Sequence, residues 1–369
     1  MQKQRVNILI GRFQPLHRGH AAILQKITSS NNLSIILIGS ADTARTVKNP
    51  LTFSERKQFI ETYLSANVVL PNRYVILPLQ DHPNNDAKWI QAAQESVDTG
   101  ISFLQTKNGN FTPDLFLTGT HRDSSTWYLS AFPQFKLDLC EAISGKAYAN
   151  LSATQIRESM FSPVLDDILW GDVPPVCRGA LRKFIQTKEF ESLKEEFAYI
   201  KKYKDAWAAA PYPFNNVCTD AVVIQSGHVL LIKRGALPGR GLWALPGGHV
   251  DQGERLVDAC IRELVEETGI KVPAKVLKAS IKAQTCFDAP DRSLLGRCYS
   301  HTFLIRLDDT LPLPKVKGQN APLDETGGVV EVETLKARWI PLNTALSMPE
   351  KYFDDHYHII SWALDNIKD

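Results

Sequence analysis

Four carboxylates in the stretch Gly247–Ile270, GGHVDQGERLVDACIRELVEETGI, stand at a spacing that makes sense around a divalent cation. Glu263, Glu266 and Glu267 occupy i, i+3 and i+4, so a helix carries all three on one face within little more than one turn. Like charges so placed repel one another. The cluster becomes tolerable when Mg2+, or Mn2+ in its place, neutralises it, because those ions prefer hard oxygen donors. Glu254, ahead of the helix, can join the cluster and also suits the positive end of the helix dipole.

The stretch resembles the Nudix box, G-x5-E-x7-R-E-U-x-E-E-x-G-U with U aliphatic. Gly248, Glu254, Arg262, Glu263, Leu264, Glu266, Glu267, Gly269 and Ile270 meet its fixed positions in register. The resemblance implies hydrolysis of a nucleoside diphosphate linked to a second moiety. It places Gly248, Glu254, Glu263, Glu266 and Glu267 at the metal, with Glu266 and Glu267 catalytic. A merely solvated acidic helix would not be expected to hold all these positions together.

A second set lies near the N-terminus. Gly11-Arg-Phe13-Gln-Pro15-Leu-His17-Arg-Gly19-His20 resembles the G-x-F-x-P-x-H-x-G-H signature of the nucleotidyltransferase superfamily. Two histidines at i and i+3, opening a helix after a buried strand, can both donate hydrogen bonds to a pentavalent phosphate and to departing pyrophosphate. Such catalysis is positioning and charge stabilisation, with no covalent intermediate. The chain has no P-loop, so phosphate must be held by other means. Ser152-Ala-Thr154-Gln155 reads as a capping box whose helix offers free N–H groups to an anion, and Arg157 follows one turn later on the face of Thr154. This resembles the I-S-x-T-x-x-R motif of the same transferases, with Leu151 replacing isoleucine. The resemblance implies an ATP site of Gly11, Phe13, His17, His20, Gly119, Ser152, Thr154 and Arg157, of which His17, His20 and Arg157 are catalytic.

The acceptor is indicated by local texture. GSADTARTVKNPLTFSERKQFI, the segment from Asp81 through Asn84, Asn85 and Asp86 to Trp89, and Gly119-Thr-His121-Arg-Asp123 resemble archaeal-type nicotinamide mononucleotide (NMN) adenylyltransferases. In that family a tryptophan like Trp89 stacks on the nicotinamide ring while Asp and Asn neighbours bond its carboxamide, and a cationic pyridinium on an indole is physically sensible. The resemblance implies an NMN site of Asp81, Asn84, Asn85, Trp89 and Arg45. Lys48 and Arg56 are further candidates for phosphate. An ordinary buried aromatic is the alternative reading of Trp89.

The elements that must position these residues follow from apolar periodicity. Val6 to Ile10 and Leu33 to Ile38 are continuous apolar runs, read as strands buried on both faces and joined through a helix from about Gly19 to Ile27. A helix over Ser54 to Leu64 with Ser54 as N-cap, and strands at Tyr74 to Leu79 and Asp114 to Leu117, complete an open α/β sheet with ligands at the strands' carboxyl ends. Pro174-Pro175 breaks the chain. One amphipathic helix from about Arg178 to Trp207 is expected next, then a second break at Pro211-Tyr-Pro213. Strands at Ala221 to Ile224 and Val229 to Ile232 flank a Ser226-Gly227 turn ahead of the box. Phe287-Asp-Ala-Pro290-Asp-Arg292-Ser-Leu-Leu-Gly296-Arg297 resembles the substrate loop of Nudix enzymes acting on ADP-ribose, which implies substrate contacts from Phe287, Arg292 and Arg297. Glu325, Glu331 and Glu333 lie in an acidic loop and are open alternatives for a general base. His356 and His358 open a terminal helix and read as its surface.

With 42 basic against 40 acidic side chains the chain gives no case for a nucleic-acid partner. No run approaches a membrane span, and the five-residue apolar run after MQKQR is too short for a signal peptide. Cys140, Cys177, Cys218, Cys260, Cys286 and Cys298 are scattered without metal-ligand spacing and read as reduced thiols of a cytoplasmic protein.

The fold expected is α/β: a Rossmann-like nucleotidyltransferase domain over 1–175, a connector helix over 176–212 and a Nudix α/β/α domain over 213–369. The two resemblances together imply a bifunctional enzyme using ATP, NMN and ADP-ribose with Mg2+, taken as a homo-oligomer, a dimer. The rivals are a transferase with another acceptor such as phosphopantetheine or glycerol phosphate, a Nudix site acting on another substrate such as NADH, and a Nudix domain serving as a metabolite sensor. A sensor usually loses box carboxylates, and this chain keeps them all.

Overall fold

The continuous apolar runs of the N-terminal half become inner strands of a parallel sheet. A computed structural model describes residues 2–29, 32–120, 124–140, 153–162, 171–319 and 334–367. In it β1 (Lys3–Gly11) lies between β2 (Leu33–Ile38) and β4 (Thr112–Gly119), with β3 (Tyr74–Pro78) and β5 (Lys136–Leu139) outermost, in the order β3-β2-β1-β4-β5 with every pair parallel. Helices on both faces explain why VNILI and LSIILI show no alternation. α3 (Asp86–Asn108) packs Ala93, Val97 and Leu104 on Val6, Ile8, Ile35 and Leu37. On the opposite face, Asn7 and Ser34 donate to the Ile27 carbonyl of α1 (Arg18–Thr28) at 3.0 and 2.9 Å, so the two polar residues inside these strands are satisfied. The strand order reverses beside β1, and the crevice at such a point is where this architecture holds ligands.

The N-cap of α2 (Phe53–Ala66) is Thr52 rather than Ser54. Thr52 Oγ1 accepts from Glu55 N at 3.3 Å and Glu55 accepts from Thr52 N at 2.8 Å, a full capping box with the acid three residues on. The expected connector helix is two helices, α5 (Pro175–Phe184) and α6 (Lys188–Trp207), preceded by α4 (Ala153–Phe161). Thr187 makes the break: its hydroxyl donates to Phe184 O at 2.8 Å and accepts from Phe190 N at 3.2 Å, closing one helix and capping the next. The chain divides into two compact units, Met1–Lys194 and Glu195–Asp369, so the division falls inside α6 and within the segment read as connector.

In the second unit β6 (Asn215–Gln225) and β7 (His228–Arg234) form a hairpin on Ser226 and Gly227, both at positive φ, 47° and 70°. The sheet order is β10-β11-β6-β7-β12, with β8 (Trp243–Ala244) on β7 and β9 (Gly247–His249) on β6; β10 is Ile281–Phe287, β11 Arg297–Arg306 and β12 Thr334–Pro341. Alternate residues of β6 and β11 feed two cores. Ala221, Val223, Phe303 and Ile305 meet Cys260, Ile261 and Leu264 of α7 (Leu256–Thr268), beside α8 (Ala274–Ala279). Val222, Ile224 and Leu304 meet Ile359, Ile360 and Ala363 of α10 (His356–Asp365), beyond the short α9 (Leu342–Leu346). The result is an α/β/α sandwich.

His356 departs from the surface position expected of it. It is 6% exposed, and its Nδ1 accepts from Leu245 N at 2.9 Å. Among the described residues no helix is long and apolar enough to cross a membrane.

Candidate active sites

At the carboxyl end of β1 the chain leaves the sheet through Phe13, whose φ is 52° and whose ring is 1% exposed under Gly11. Gln14 ties this loop to Leu51, donating to its carbonyl at 2.7 Å and accepting from its N–H at 3.0 Å. His17 is 4% exposed and serves as N-cap of α1, its Nδ1 accepting from His20 N at 3.3 Å. The His17 and His20 rings stack at 3.7 Å, with Phe13 4.8 Å from His20. Cap geometry thus turns both imidazoles the same way.

α4 closes on this loop. Arg157 donates to Gln14 O at 2.7 Å and to Thr154 Oγ1 at 3.0 Å, and burial, then the charge of Arg12, lowers its pKa to about 10. Gly119 ends β4, where Leu9 pairs with Thr118, so it stands beside the end of β1. Gly11, Phe13, His17, His20, Gly119, Thr154 and Arg157 are therefore brought to one end of the sheet. Ser152, His121 and Asp123 lie outside the described residues.

Trp89, half-buried on α3, joins an aromatic cluster with Trp127 at 5.3 Å, Tyr128 at 6.0 Å and Phe132 at 6.2 Å. Tyr128 Oη donates to Ile10 O at 3.3 Å, which anchors the cluster at the same strand end. Trp127, 42% exposed, went unnoticed in the sequence because it lies far from the Trp89 segment. Asn84 is exposed, Asn85 caps α3 through Lys88 N at 3.0 Å, and Asp81 accepts from Ser40 N at 3.2 Å. Arg45 grips Glu55 with both terminal nitrogens at 2.8 Å and reaches Pro50 O at 2.6 Å. Arg56 is 1% exposed and spends its donors on the carbonyls of Arg12, Gly39, Ser40 and Thr52. Arg56 is a pin between strand ends, not the phosphate ligand its charge suggests.

In the second unit the glycine loop and α7 gather the box. Arg262 donates to Glu254 at 3.0 and 3.1 Å, to Glu263 at 2.8 Å, to Glu266 at 3.2 Å and to His249 O at 3.2 Å. Its bond to Glu254 holds that carboxyl below the usual range. Glu267 is 4% exposed and accepts from Gly247 N at 2.8 Å and Thr334 Oγ1 at 2.7 Å; burial, against those bonds, pushes its pKa up to about 8. One guanidinium thus balances three carboxylates, an excess of hard negative oxygens that suits a divalent cation. Among the described residues no three His, Cys, Asp or Glu side chains are grouped so as to hold a metal ion, and the box acids Glu254, Glu263 and Glu266 are gathered on Arg262.

The three expected substrate contacts are not brought together. Phe287 is 4% exposed in the α10 core with its ring edge-on to Trp362. Arg292 is buried on the same side, paired with both oxygens of Asp355 at 2.7 and 3.1 Å and donating to Cys298 Sγ at 3.2 Å. Arg297 alone stands on the other face, 4.7 Å over the Tyr299 ring. Glu325, Glu331 and Glu333 lie outside the described residues.

Two family models match the chain, cytidylyltransferase-like over 8–159 and NUDIX domain over 215–363. Two crystal structures of a bifunctional NMN adenylyltransferase/ADP ribose pyrophosphatase from Francisella tularensis are similar over 98% of this chain and 99% of theirs. One, complexed with AMP and a Mn ion, is 31% identical at TM-score 0.84; the other is 30% identical at TM-score 0.85. The nicotinamide-nucleotide adenylyltransferase of Thermococcus kodakarensis is 31% identical over 42% of this chain and 71% of that protein, and the nicotinamide/nicotinic acid mononucleotide adenylyltransferase of Acinetobacter baylyi is 26% identical over 52% and 92%.

Proposed function

The chain belongs to the family of bifunctional NMN adenylyltransferase/ADP-ribose pyrophosphatases, and we propose the following division of labour. The first unit transfers adenylyl from ATP to NMN, giving NAD and pyrophosphate; the second hydrolyses ADP-ribose to AMP and ribose 5-phosphate. The observation that carries the reading is the coexistence of the stacked His17/His20 pair at a strand end and the Arg262-gathered carboxylates of a Nudix box in one chain.

In the transferase, His17 and His20 donate to the α-phosphate and to leaving pyrophosphate, while Arg157 and the N-terminus of α4, with Thr154 and Ser152, hold the phosphates. Gly11, Phe13 and Gly119 shape the adenylate cradle. Trp89 stacks on the nicotinamide, with Asp81, Asn84 and Asn85 at its carboxamide, and Arg45 lends charge to a phosphate only by sharing Glu55. In the hydrolase, Gly248, Glu254, Glu263, Glu266 and Glu267 would hold Mg2+, or Mn2+, which when bound polarises the pyrophosphate and activates water. Glu266 and Glu267 orient the attack, Arg262 limits repulsion among the acids, and Arg297 meets substrate. Cysteines that are all free support a cytoplasmic protein. We take it as a homodimer acting on small molecules.

Incubation with Mg2+ and separate pools of NMN plus ATP, ADP-ribose, and NADH tests the reading. NAD from the first pool and AMP from the second are expected; an idle first pool, or cleavage of NADH in preference to ADP-ribose, would overturn the corresponding half.

A further inference from the structure

Glu267 is held differently from the other box acids. Glu254, Glu263 and Glu266 accept from Arg262, whereas each oxygen of Glu267 has a donor of its own, Thr334 Oγ1 on Oε1 at 2.7 Å and Gly247 N on Oε2 at 2.8 Å. Thr334 is fully buried and Glu267 is 4% exposed. A hydrogen bond to a carboxylate in such surroundings is strong, and its loss is costly.

Thr334 reaches that carboxylate through an irregularity of β12. Ala337 and Trp339 of this strand pack in the core beneath α7, so two-residue alternation would send Leu335 to that face and turn Thr334 to the opposite one. The pairing with β7 shifts instead: Lys336 pairs with Lys233 and Thr334 with Arg234, so two steps along β12 answer one along β7. Leu335, 48% exposed, is the extra residue, and the bulge at it returns Thr334 to the face of α7. Bulges beside reactive sites re-aim side chains in this way.

The bulge is itself braced. Gln319 Oε1 accepts from Thr334 N at 3.2 Å, Gln319 N donates to Thr334 O at 3.1 Å, and Lys317 N donates to Thr268 O at 2.8 Å. Gly318, between the two, runs so close that a Cβ on it would lie 2.6 Å from Leu335 O. Lys317, Gly318 and Gln319 therefore tie the bulge to the last turn of the helix that carries Glu267.

We infer that Thr334 is a positioning residue for the hydrolysis, aiming the Glu267 carboxylate, and that Gln319 holds Thr334 in the bulge. The inference rests on the hydrolase reading above, in which Glu267 helps to hold the divalent cation and to orient attack. A glutamate side chain turns about several torsions, and a donor on each oxygen fixes the plane of its carboxylate before anything binds. With the Gly247 donor alone, the carboxylate would be free to turn about that one bond.

The full chain tests it through Thr334→Val, which keeps the shape and exchanges the hydroxyl for a methyl, and Thr334→Ser, which keeps the hydroxyl. With Mg2+ and ADP-ribose, Thr334→Val should lower kcat about 30-fold with KM within about threefold, while Thr334→Ser stays within about threefold of wild type. A readout without turnover is Mn2+ alone, titrated by electron paramagnetic resonance: Thr334→Val should bind it about tenfold more weakly than wild type, and Thr334→Ser should not. Wild-type kcat and Mn2+ affinity in Thr334→Val overturn the role. Equal losses in the valine and serine variants also overturn it, because packing rather than the hydroxyl would then be the cause. Should Thr334→Val fail to fold, Gln319→Ala decides: a fall in kcat of about fivefold is expected, and wild-type kcat overturns the proposal. A wild-type chain that leaves ADP-ribose intact, while Thr334→Val still binds Mn2+ more weakly than Thr334→Ser, defeats the hydrolase reading and leaves the aiming of Glu267 standing.

Discussion

Gly248 faces the Glu263 carboxylate so closely that a Cβ at Gly248 would lie 2.6 Å from Glu263 Cδ. The intruding methyl would displace the end of a flexible side chain, so Gly248→Ala should fold while moving one acid off its place. We predict a fall in ADP-ribose hydrolysis on the order of 100-fold, about 2.7 kcal/mol, with a nearly unchanged melting temperature. Gly247→Ala is the contrast: its Cβ would meet the backbone of Thr219 and Asp220 in β6, so thermal melts should show a marked loss of stability. Equal activity in Gly248→Ala and wild type would remove Glu263 from the mechanism.

His17 is both catalytic candidate and helix cap, and the two roles can be parted. Asparagine caps helices well, so His17→Asn keeps an acceptor for His20 N while losing the imidazole. Both His17→Asn and His20→Ala should lower kcat for NAD synthesis about 100-fold with little change in KM for ATP. Steady-state kinetics at saturating NMN decides it, and wild-type turnover by His20→Ala would end the assignment.

Trp89→Ala should weaken NMN by about 1 to 2 kcal/mol and ATP far less, because the indole is proposed to meet only the pyridinium. Its contacts with Trp127, Tyr128 and Phe132 mean the variant also loses packing, so Trp127→Ala is the companion. Fluorescence titration with each substrate separates the two effects; equal losses for NMN and ATP would make Trp89 a structural residue.

Signals carried by neighbours in sequence were readable, and those carried by register were not. β2 has the bounds its apolar run suggests, and the histidine motif runs from the end of a buried strand into the first turn of a helix as its spacing implies. Arg56 and Arg292 looked like ligands because charge is visible in sequence and burial is not; carbonyls of Arg12, of Gly39 and Ser40, and of Thr52 surround the first, and Asp355, far along the chain, holds the second. Phe287 and Arg297 flank one loop yet belong to opposite faces of the sheet. The alternation Arg297, Tyr299, His301, Phe303 was the signal that could have placed them, once β11 was recognised as a strand with two covered faces. Thr187 broke the connector helix through its own hydroxyl, a local competition that periodicity does not register.

His356 makes the stability of the second unit depend on pH. Burial holds its pKa down to about 3, and Leu245 N donates to its unprotonated Nδ1. A histidine in the unfolded chain titrates near 6.5. The folded value is depressed, so the contribution is present above about 6.5 and is lost as pH falls from there toward 3. His356→Gln cannot titrate. Melting temperatures followed from pH 7.5 to 4 should therefore fall more steeply for the wild-type chain than for His356→Gln, and parallel curves would contradict the buried neutral imidazole.

Glu266 tests whether the two activities fail independently. Its side chain is 54% exposed and accepts a hydrogen bond from Arg262 at 3.2 Å, so Glu266→Gln removes a charge with little effect on packing. Loss of a carboxylate proposed to hold the divalent cation should cost several kcal/mol of transition-state stabilisation. ADP-ribose hydrolysis should then fall by orders of magnitude, and excess Mn2+ should recover only part of it. Adenylyl transfer to NMN depends on His17, His20 and Arg157, which belong to the other unit with its own core, so it should stay within about twofold of wild type. Both reactions assayed on one purified sample of Glu266→Gln give the answer. Parallel loss of the two activities in a folded protein would mean a shared site or obligatory coupling, and the assignment of one reaction to each unit would be wrong.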